Sequence, residues 1–270
     1  MKAMLISSIV LFLTISCASS PTGRNQLLLV SPEQAISSSK QAYIETLKPL
    51  DSEGKVDNNP KVTKRVKMIT GRLISQALIQ YPYAKNWDWQ IKVIDDPKTI
   101  NAWCMAGGKM AIYTGLINTL NASDDEIAQV MGHEIAHALA HHTAEQMSIA
   151  MATQVGMLGV GLAVKDSKYA DLALTGSALA ASLAIKLPNS RTAESEADRM
   201  GIEIAAKAGY NPNAAVSLWQ KMATANKGNT PLEFLSTHPD PKNRQSTLKN
   251  LVPEMMKFYQ EKKDYPIYPL

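Results

Sequence analysis

The spacing of apolar residues along the chain predicts several helices and a short sheet near its middle. Between residues 62 and 77, apolar side chains recur every three or four positions, which is typical of an amphipathic helix. Apolar and polar residues alternate over residues 87–93, which predicts a half-buried strand. A second strand is predicted for residues 109–114, directly after a pair of glycines.

Further helices are predicted in the second half of the chain. Ser123-Asp124-Asp125-Glu126 has the spacing of a capping box, in which the serine and glutamate side chains each bond to the other's backbone N–H. We expect a helix to begin there and to run to about His142. Turn and cap residues predict three more helices: one from about Thr192 to Gly209, one after Pro212 and one from near Pro241.

No internal repeat or flexible linker divides the chain, so we predict a single α+β domain that is mainly helical. Residues 17–60 are expected to form an N-terminal extension that packs on a domain of residues 61–270. Two apolar stretches, residues 155–164 and 172–185, are each too short to cross a membrane as a helix. They are predicted to be buried helices, with a mobile flap over a site as the alternative.

The composition argues against binding to nucleic acid. Lysine and arginine exceed aspartate and glutamate by only four residues, 28 against 24, and no dense basic run is present. Aromatic residues make up 6 % of the chain and are not interleaved with basic ones, as base stacking would require. We therefore expect no nucleic-acid partner.

The first residues have the pattern of a secretory signal peptide. Lys2 precedes an apolar run over residues 4–15, and Leu13-Thr14-Ile15-Ser16-Cys17 resembles a bacterial lipobox. Residues 1–16 are thus predicted to be removed and Cys17 to be acylated, with an ordinary cleaved signal as the alternative. Ala18 favours sorting to the outer membrane, so a lipid-anchored protein on its periplasmic side is expected. Cys104 is then a lone thiol, expected to be packed rather than reactive.

Four of the five histidines lie in one block that contains His133-Glu134-Ile135-Ala136-His137. Residues four apart on a helix share a face, so the two imidazoles can converge on one metal ion. Glu134 lies beside that face and is placed to accept a proton from a water molecule. This pattern is typical of zinc hydrolases.

A zinc site of this kind needs a third protein ligand. His141 is turned away from His133 on the helix and fits poorly. Glu194 and Asp198 are four residues apart, so one could bind the metal while the other accepts a hydrogen bond from a ligand histidine. Glu196 points off their face and is predicted to be a solvated charge.

Taken together, these motifs resemble peptidase family M48, the gluzincins that include the HtpX-type and Oma-type proteases and the CAAX prenyl protease. The resemblance covers about residues 22–252 and implies the periplasmic lipoprotein branch, without the helical-repeat domain that some relatives carry. The segments that match are Thr22-Gly23-Arg24, Asn101-Ala102-Trp103, Gly107-Gly108-Lys109, Tyr113-Thr114-Gly115-Leu116, the histidine block, Glu194 to Asp198, Ala208 to Pro212, and Thr237-His238-Pro239.

The resemblance implies a zincin-type fold with a small sheet beside the active-site helix. One zinc ion per chain is expected on His133, His137 and Glu194, with Asp198 supporting a ligand histidine and Glu134 as the general base. The strand after the glycine pair is implied to be an edge that pairs with an extended substrate, with a plain edge strand of a core sheet as the alternative. Its candidate residues are Gly108, Met110, Ala111, Ile112 and Tyr113.

Two more residues have candidate roles through the same resemblance. His238 lies in a segment held by two prolines and is implied to lie over the zinc, either as a plug that keeps the enzyme latent or as a donor to the reaction's oxyanion. Arg244, in the following helix, is predicted to supply a second positive charge or to pair with a carboxylate. The two alternatives for each residue stay open.

The function expected from the sequence is a zinc-dependent endopeptidase of the bacterial cell envelope. Its expected substrates are misfolded or misassembled periplasmic and outer-membrane proteins. The first alternative is a zinc-containing chaperone or assembly factor whose protease activity is latent. A weaker alternative is a metal hydrolase that acts on a non-peptide amide.

Overall fold

The computed structural model describes residues 17–162, 189–226, 232–239, 241–259 and 265–270. These residues form one mainly helical α+β domain, which confirms the predicted fold class. The predicted signal peptide and the apolar stretch 172–185 lie outside the described residues. Among the described residues, no helix combines the length and apolar character needed to span a bilayer.

The N-terminal half combines helices with short strands. A hairpin leads into a long helix that the hydrophobic pattern did not reveal, because residues 18–60 are of mixed polarity. The elements are β1 (Cys17–Ser19), β2 (Asn25–Leu27), α1 (Pro32–Ser52), α2 (Pro60–Gln80), a 3-10 turn (Pro82–Asn86), β3 (Gln90–Ile94), β4 (Ala102–Met105), β5 (Lys109–Tyr113), α3 (Thr114–Thr119) and α4 (Asp124–Leu139).

The C-terminal half is helical wherever the structure describes regular elements. The helices predicted from about Thr192, after Pro212 and from near Pro241 are present, and a short helix that was not predicted precedes the last of them. The elements are α5 (His142–Leu162), α6 (Arg191–Lys207), α7 (Asn213–Ala225), α8 (Glu233–Thr237) and α9 (Pro241–Tyr259).

The larger sheet has the strand order β3-β5-β4. β5 pairs in parallel with β3, in the register Ile91 to Met110, and antiparallel with β4, in the register Cys104 to Met110. The expectation that the strand after the glycine pair is a substrate-binding edge is therefore wrong, because both sides of its backbone are already paired. This applies to Met110, Ala111, Ile112 and Tyr113, and Gly108 accepts a backbone hydrogen bond from Gln90. Within the described residues, the edge strands of this sheet are β3, which the segment at Val56 and Asp57 partly pairs, and β4.

Helix α4 runs through the core. Its capping box is present as predicted, with Ser123 Oγ accepting from the Glu126 N–H at 3.2 Å and Glu126 Oε2 accepting from the Ser123 N–H at 2.9 Å. The helix ends at Leu139 rather than at His142, because His141 takes a left-handed φ of 57° and ends the run. His142 thereby becomes the first residue of α5.

Helices α4 and α6 cross at two glycines. A Cβ atom placed on Gly201 of α6 would lie 2.7 Å from the backbone nitrogen of His133, and one on Gly132 would lie 2.9 Å from the Gly201 carbonyl oxygen. The two backbones therefore approach more closely than any larger residue would allow. This crossing places the first turn of α6 against the histidines of α4.

Candidate metal centre

His133 and His137 lie one turn apart on α4 and point to the same place. Their Nε2 atoms are 2.9 Å apart, and both side chains are buried. Glu194 approaches from the first turn of α6, with Oε2 at 3.4 Å from His133 Nε2 and Oε1 at 3.4 Å from His137 Nε2. The three side chains that the sequence proposed as ligands are therefore in one cluster.

His238 completes the cluster from the residue that follows α8. Its Nδ1 lies 3.0 Å from Glu194 Oε1 and 3.3 Å from His133 Nε2, and its ring stacks on Phe234 at 4.3 Å between centroids. One ligand atom from each of His133, His137, Glu194 and His238 lies within 4.8 Å of all the others. His238 is thus close enough to share a metal ion with the other three.

The chemistry of this cluster fits a divalent metal ion. Two imidazole nitrogens and a carboxylate are typical ligands of catalytic zinc, which leaves one position for water or substrate. Burial lowers the pKa of His137 well below its usual value, which favours the neutral imidazole that metal binding needs. The pKa of Glu194 is also below its usual range, because the neighbouring His238, His137 and Arg244 together outweigh the effect of burial.

Glu134 lies beside the cluster, with one carboxylate oxygen left without a hydrogen bond. This oxygen, Oε1, lies 3.4 Å from His238 Nε2. Burial raises the pKa of the carboxyl group toward the neutral range, which suits a group that must accept and release a proton. A buried carboxylate oxygen without a hydrogen bond is costly for stability, so its placement here points to a chemical role.

Asp198 and Arg244 form a buried pair behind His133. Asp198 Oδ1 lies 3.1 Å from His133 Nδ1, and Arg244 Nε donates to Asp198 Oδ2 at 2.8 Å. Arg244 Nη1 also lies 2.6 Å from Glu194 Oε2. Burial opposes ionisation of Asp198, but Arg244 and His133 outweigh it and lower the pKa of Asp198 to about 2. Of the two roles predicted for Arg244, these contacts favour pairing with carboxylates.

A second network lies behind His137. Its Nδ1 is 2.7 Å from Nδ1 of His142, whose Nε2 is 3.1 Å from Glu196 Oε2. The prediction that Glu196 is a solvated charge is wrong, since its side chain is only 3 % exposed and Arg24 Nε bonds to it at 2.7 Å. The β1–β2 hairpin covers this face of α6. In the sequence, Thr22-Gly23-Arg24 is one of the segments that resemble the family, and it was the signal that could have revealed the contact.

His141 and the two cysteines of the chain lie outside the cluster. Cys104 is a free, buried thiol whose pKa is raised well above its usual value by burial, as expected of a packed residue. Cys17 is the first residue of β1, opposite Leu27. The His141 ring packs near Tyr83, at 5.6 Å between centroids, and is not among the converging ligand atoms.

A cleft borders the cluster and opens beside β4. About 30 Å³ of it admits a water-sized molecule, and its lining includes Trp103 of β4, Glu134, His137 and His238. The β4 edge of the sheet and Glu134 thus border the same space.

Comparison with known proteins agrees with this geometry. The sequence model of peptidase family M48 matches residues 60–252. The chain is 31 % identical over 256 residues to "Metalloendopeptidase OMA1, mitochondrial" of Bos taurus, which covers 92 % of this chain and 48 % of that protein. It is 34 % identical over 181 residues to the Saccharomyces cerevisiae "Mitochondrial metalloendopeptidase OMA1", covering 64 % and 50 %.

A bacterial relative is similar over a comparable region. The chain is 29 % identical over 204 residues to the "Beta-barrel assembly-enhancing protease" of Escherichia coli, which covers 73 % of this chain and 40 % of that protein. The chain thus spans half or less of the length of these relatives. The extent of the family match and the converging histidine and glutamate side chains lead to one conclusion: this chain belongs to peptidase family M48.

Proposed function

We propose that this protein is a zinc-dependent endopeptidase of the bacterial cell envelope. The observation that carries the proposal is the buried cluster of His133, His137 and Glu194 beside the unbonded carboxylate of Glu134. One zinc ion per chain would be held by these two histidines and this glutamate. Membership of a metallopeptidase family supports the choice of peptide bonds over other amides.

Bound zinc would polarise the scissile carbonyl and lower the pKa of a water molecule to about 7. Glu134 accepts the proton of the attacking water and then donates one to the leaving amine. Its raised pKa suits both steps, because the carboxyl group must gain and lose a proton within each cycle. Asp198 holds His133 from behind and keeps the orientation of that imidazole fixed.

The substrate would bind as an extended strand along β4. The open edge of β4 offers backbone groups beside the cleft, and pairing through the main chain selects little for side chains. This favours unfolded chains, such as misfolded or misassembled periplasmic and outer-membrane proteins. The name of the Escherichia coli relative, which refers to β-barrel assembly, supports this substrate class.

A lipid anchor on Cys17 would hold the protein at the periplasmic side of the outer membrane. The lipobox-like segment before Cys17 and the bacterial relatives support this localisation, whereas the other relatives are mitochondrial. Cys17→Ser should release the protein into the soluble periplasmic fraction or leave its signal uncleaved. Recovery of the processed variant in the membrane fraction would contradict lipid anchoring.

The second candidate function is an assembly factor with latent protease activity, and the position of His238 favours it. Because His238 Nδ1 lies among the ligand atoms, this residue could fill the remaining position on the metal and exclude substrate. If His238 acts as a plug, His238→Ala should raise casein cleavage. As an oxyanion donor, the same change should lower cleavage by about 10²-fold. Unchanged cleavage and zinc affinity would contradict both roles.

The decisive test of the endopeptidase is Glu134→Gln. Glutamine has nearly the same shape but cannot accept the proton, so casein cleavage should fall by about 10²–10⁴-fold while one zinc per chain is retained. His133→Ala should lose the zinc as well, and Glu203→Gln, on the far half of α6, should match the wild type. Retained activity in a zinc-loaded Glu134→Gln variant would contradict the general-base role. No cleavage by the wild type, with or without chelator, would favour the assembly factor.

A further inference from the structure

Glu196 is the centre of a hydrogen-bond network that reaches into the N-terminal hairpin. Its Oε1 accepts from the hydroxyl groups of Ser20 and Thr22, the latter at 2.5 Å. Its Oε2 lies 2.7 Å from Arg24 Nε and 3.1 Å from His142 Nε2. Both oxygens of this buried carboxylate are thus fully used, and three of the four partners precede residue 25.

We call Ser20, Thr22 and Arg24 the N-terminal clamp. A tight turn holds its shape, with the Ser20 N–H bonded to the Arg24 carbonyl at 2.8 Å and with Gly23 at a φ of 85°, where a residue with a Cβ would be strained. The two terminal nitrogens of Arg24 donate to both oxygens of Glu145 on α5, at 2.8 and 2.6 Å. The clamp is therefore hydrogen-bonded to both α5 and α6.

The network determines which nitrogen of His142 carries the proton. A carboxylate can only accept, so Nε2 of His142, which faces Glu196, carries a proton. In the tautomer whose second nitrogen is unprotonated, Nδ1 of His142 accepts a hydrogen bond from Nδ1 of His137, 2.7 Å away. This leaves the lone pair of His137 on Nε2, the atom that faces His133 and Glu194. Metal binding through Nε2 requires this tautomer.

We propose that the N-terminal clamp is a positioning element of the metal centre: through Glu196 and His142 it fixes the tautomer and the orientation of His137. The clamp lies outside residues 60–252, the region that the family model matches. The inference rests on the proposed zinc site and deepens it. On this inference, the segment that follows Cys17 supports a ligand of the metal centre and does more than pack on the domain.

The test is the zinc affinity of full-length variants, measured by competition with a chromogenic chelator. Arg24→Ala and Glu196→Gln should each raise the Kd for zinc by about 10–100-fold, as is typical when the support of a ligand histidine is removed. Arg199→Ala is the matched control, because it removes an exposed ion pair of α6 with Glu254 and should leave the Kd unchanged within about twofold. The double variant of Arg24 and Glu196 should bind little more weakly than Glu196→Gln alone, since both changes interrupt one chain.

A second readout separates positioning from loss of folding. In zinc-free wild type, ¹⁵N chemical shifts should show His137 protonated on Nδ1, and Glu196→Gln should populate the other tautomer in a protein that still unfolds cooperatively. Wild-type zinc affinity in both single variants, or fully additive effects in the double variant, would overturn the proposal. If the wild type itself binds no zinc, the proposed function fails. If the wild type binds tightly and both variants match it, only the clamp fails.

Discussion

The two histidines of α4 that we propose as ligands lie one turn apart, yet they are supported in different ways. Behind His133, a carboxylate is in direct contact and is backed by a buried arginine, Asp198 and Arg244. Behind His137, a second imidazole intervenes, and the supporting carboxylate is backed by Arg24 from the N-terminal hairpin. The first support lies wholly inside the region that the family model matches, whereas the second extends beyond it.

The difference in burial shows how strongly each support depends on the core. The side chain of Arg244 is 5 % exposed and lies over the Trp219 ring at 4.2 Å, whereas that of Arg24 is 19 % exposed. A buried charge that loses its partner is far more costly than one that water can reach. The His133 side should therefore be coupled to the stability of the domain, and the His137 side chiefly to metal binding.

The largest effect on stability is expected for Arg244→Met. Asp198 and Glu194 would keep their buried charges without the guanidinium, so the free energy of unfolding of the zinc-free protein should fall by about 3–5 kcal/mol. Urea denaturation followed by circular dichroism measures this change. Arg199→Met, which removes an exposed pair, should cost less than about 1 kcal/mol. Equal losses in the two variants would remove the distinction between buried and exposed support.

A smaller loss is expected for Arg24→Met. Glu196 would keep Ser20, Thr22 and His142 as partners, so the free energy of unfolding should fall by about 1.5–3 kcal/mol, the range for a hydrogen bond to a charged group. The same urea experiment applies, and zinc affinity is measured in parallel. A loss of stability larger than that of Arg244→Met would reverse the ranking of the two supports.

The smallest effect is expected at the other end of α4, for Glu126→Gln. Burial raises the pKa of Glu126, but its bonds with Lys221, the Ser123 N–H and Ser217 outweigh this and lower it below 4.5. Because the pKa is lower in the folded state, the carboxylate stabilises the protein above about pH 4.5, and this contribution disappears as the pH falls through the folded value. The variant should lose about 0.5–1 kcal/mol at pH 7 and approach the wild type as the pH falls through the folded pKa of Glu126.

This change also serves as a control for the comparison, because Glu126 lies at the opposite end of α4 from His137. Its loss should leave the Kd for zinc at pH 7 unchanged. Urea midpoints measured between pH 3 and pH 7 give the first result, and chelator competition gives the second. Weaker zinc binding in Glu126→Gln would mean that any loss of stability on α4 reaches the metal centre, and the clamp would need no special role.

The sequence predicted the parts of the site that lie close together on one helix. The capping box, the helix that it begins and the pair His133 and His137 follow local rules of spacing. Spacing also puts Glu194 and Asp198 on one face of α6, whereas their position beside the histidines was implied by the family resemblance.

The sequence could not show how Glu196 and β5 are surrounded. Glu196 is buried partly because Arg24, 172 residues earlier, folds back onto it, and spacing along α6 does not record such a contact. The sheet order likewise depends on β4, whose four residues are all buried and show no alternation, so the hydrophobic pattern predicts neither β4 nor its pairing with β5.

The close contact of α4 and α6 at Gly132 and Gly201 controls the distances between the side chains of the proposed metal centre. A methyl group on Gly201 would lie 2.7 Å from the His133 nitrogen, so an alanine would force the helices apart by several tenths of an ångström or more. Functional side chains tolerate displacements of only about 0.5 Å before their geometry is lost. Glu194 lies on α6 and the two histidines lie on α4. The absence of a Cβ atom at Gly132 and Gly201 therefore sets the distance between Glu194 and the histidines. Substitution of either glycine should thus inactivate the centre by widening the gap between the two helices, although neither glycine carries a functional group.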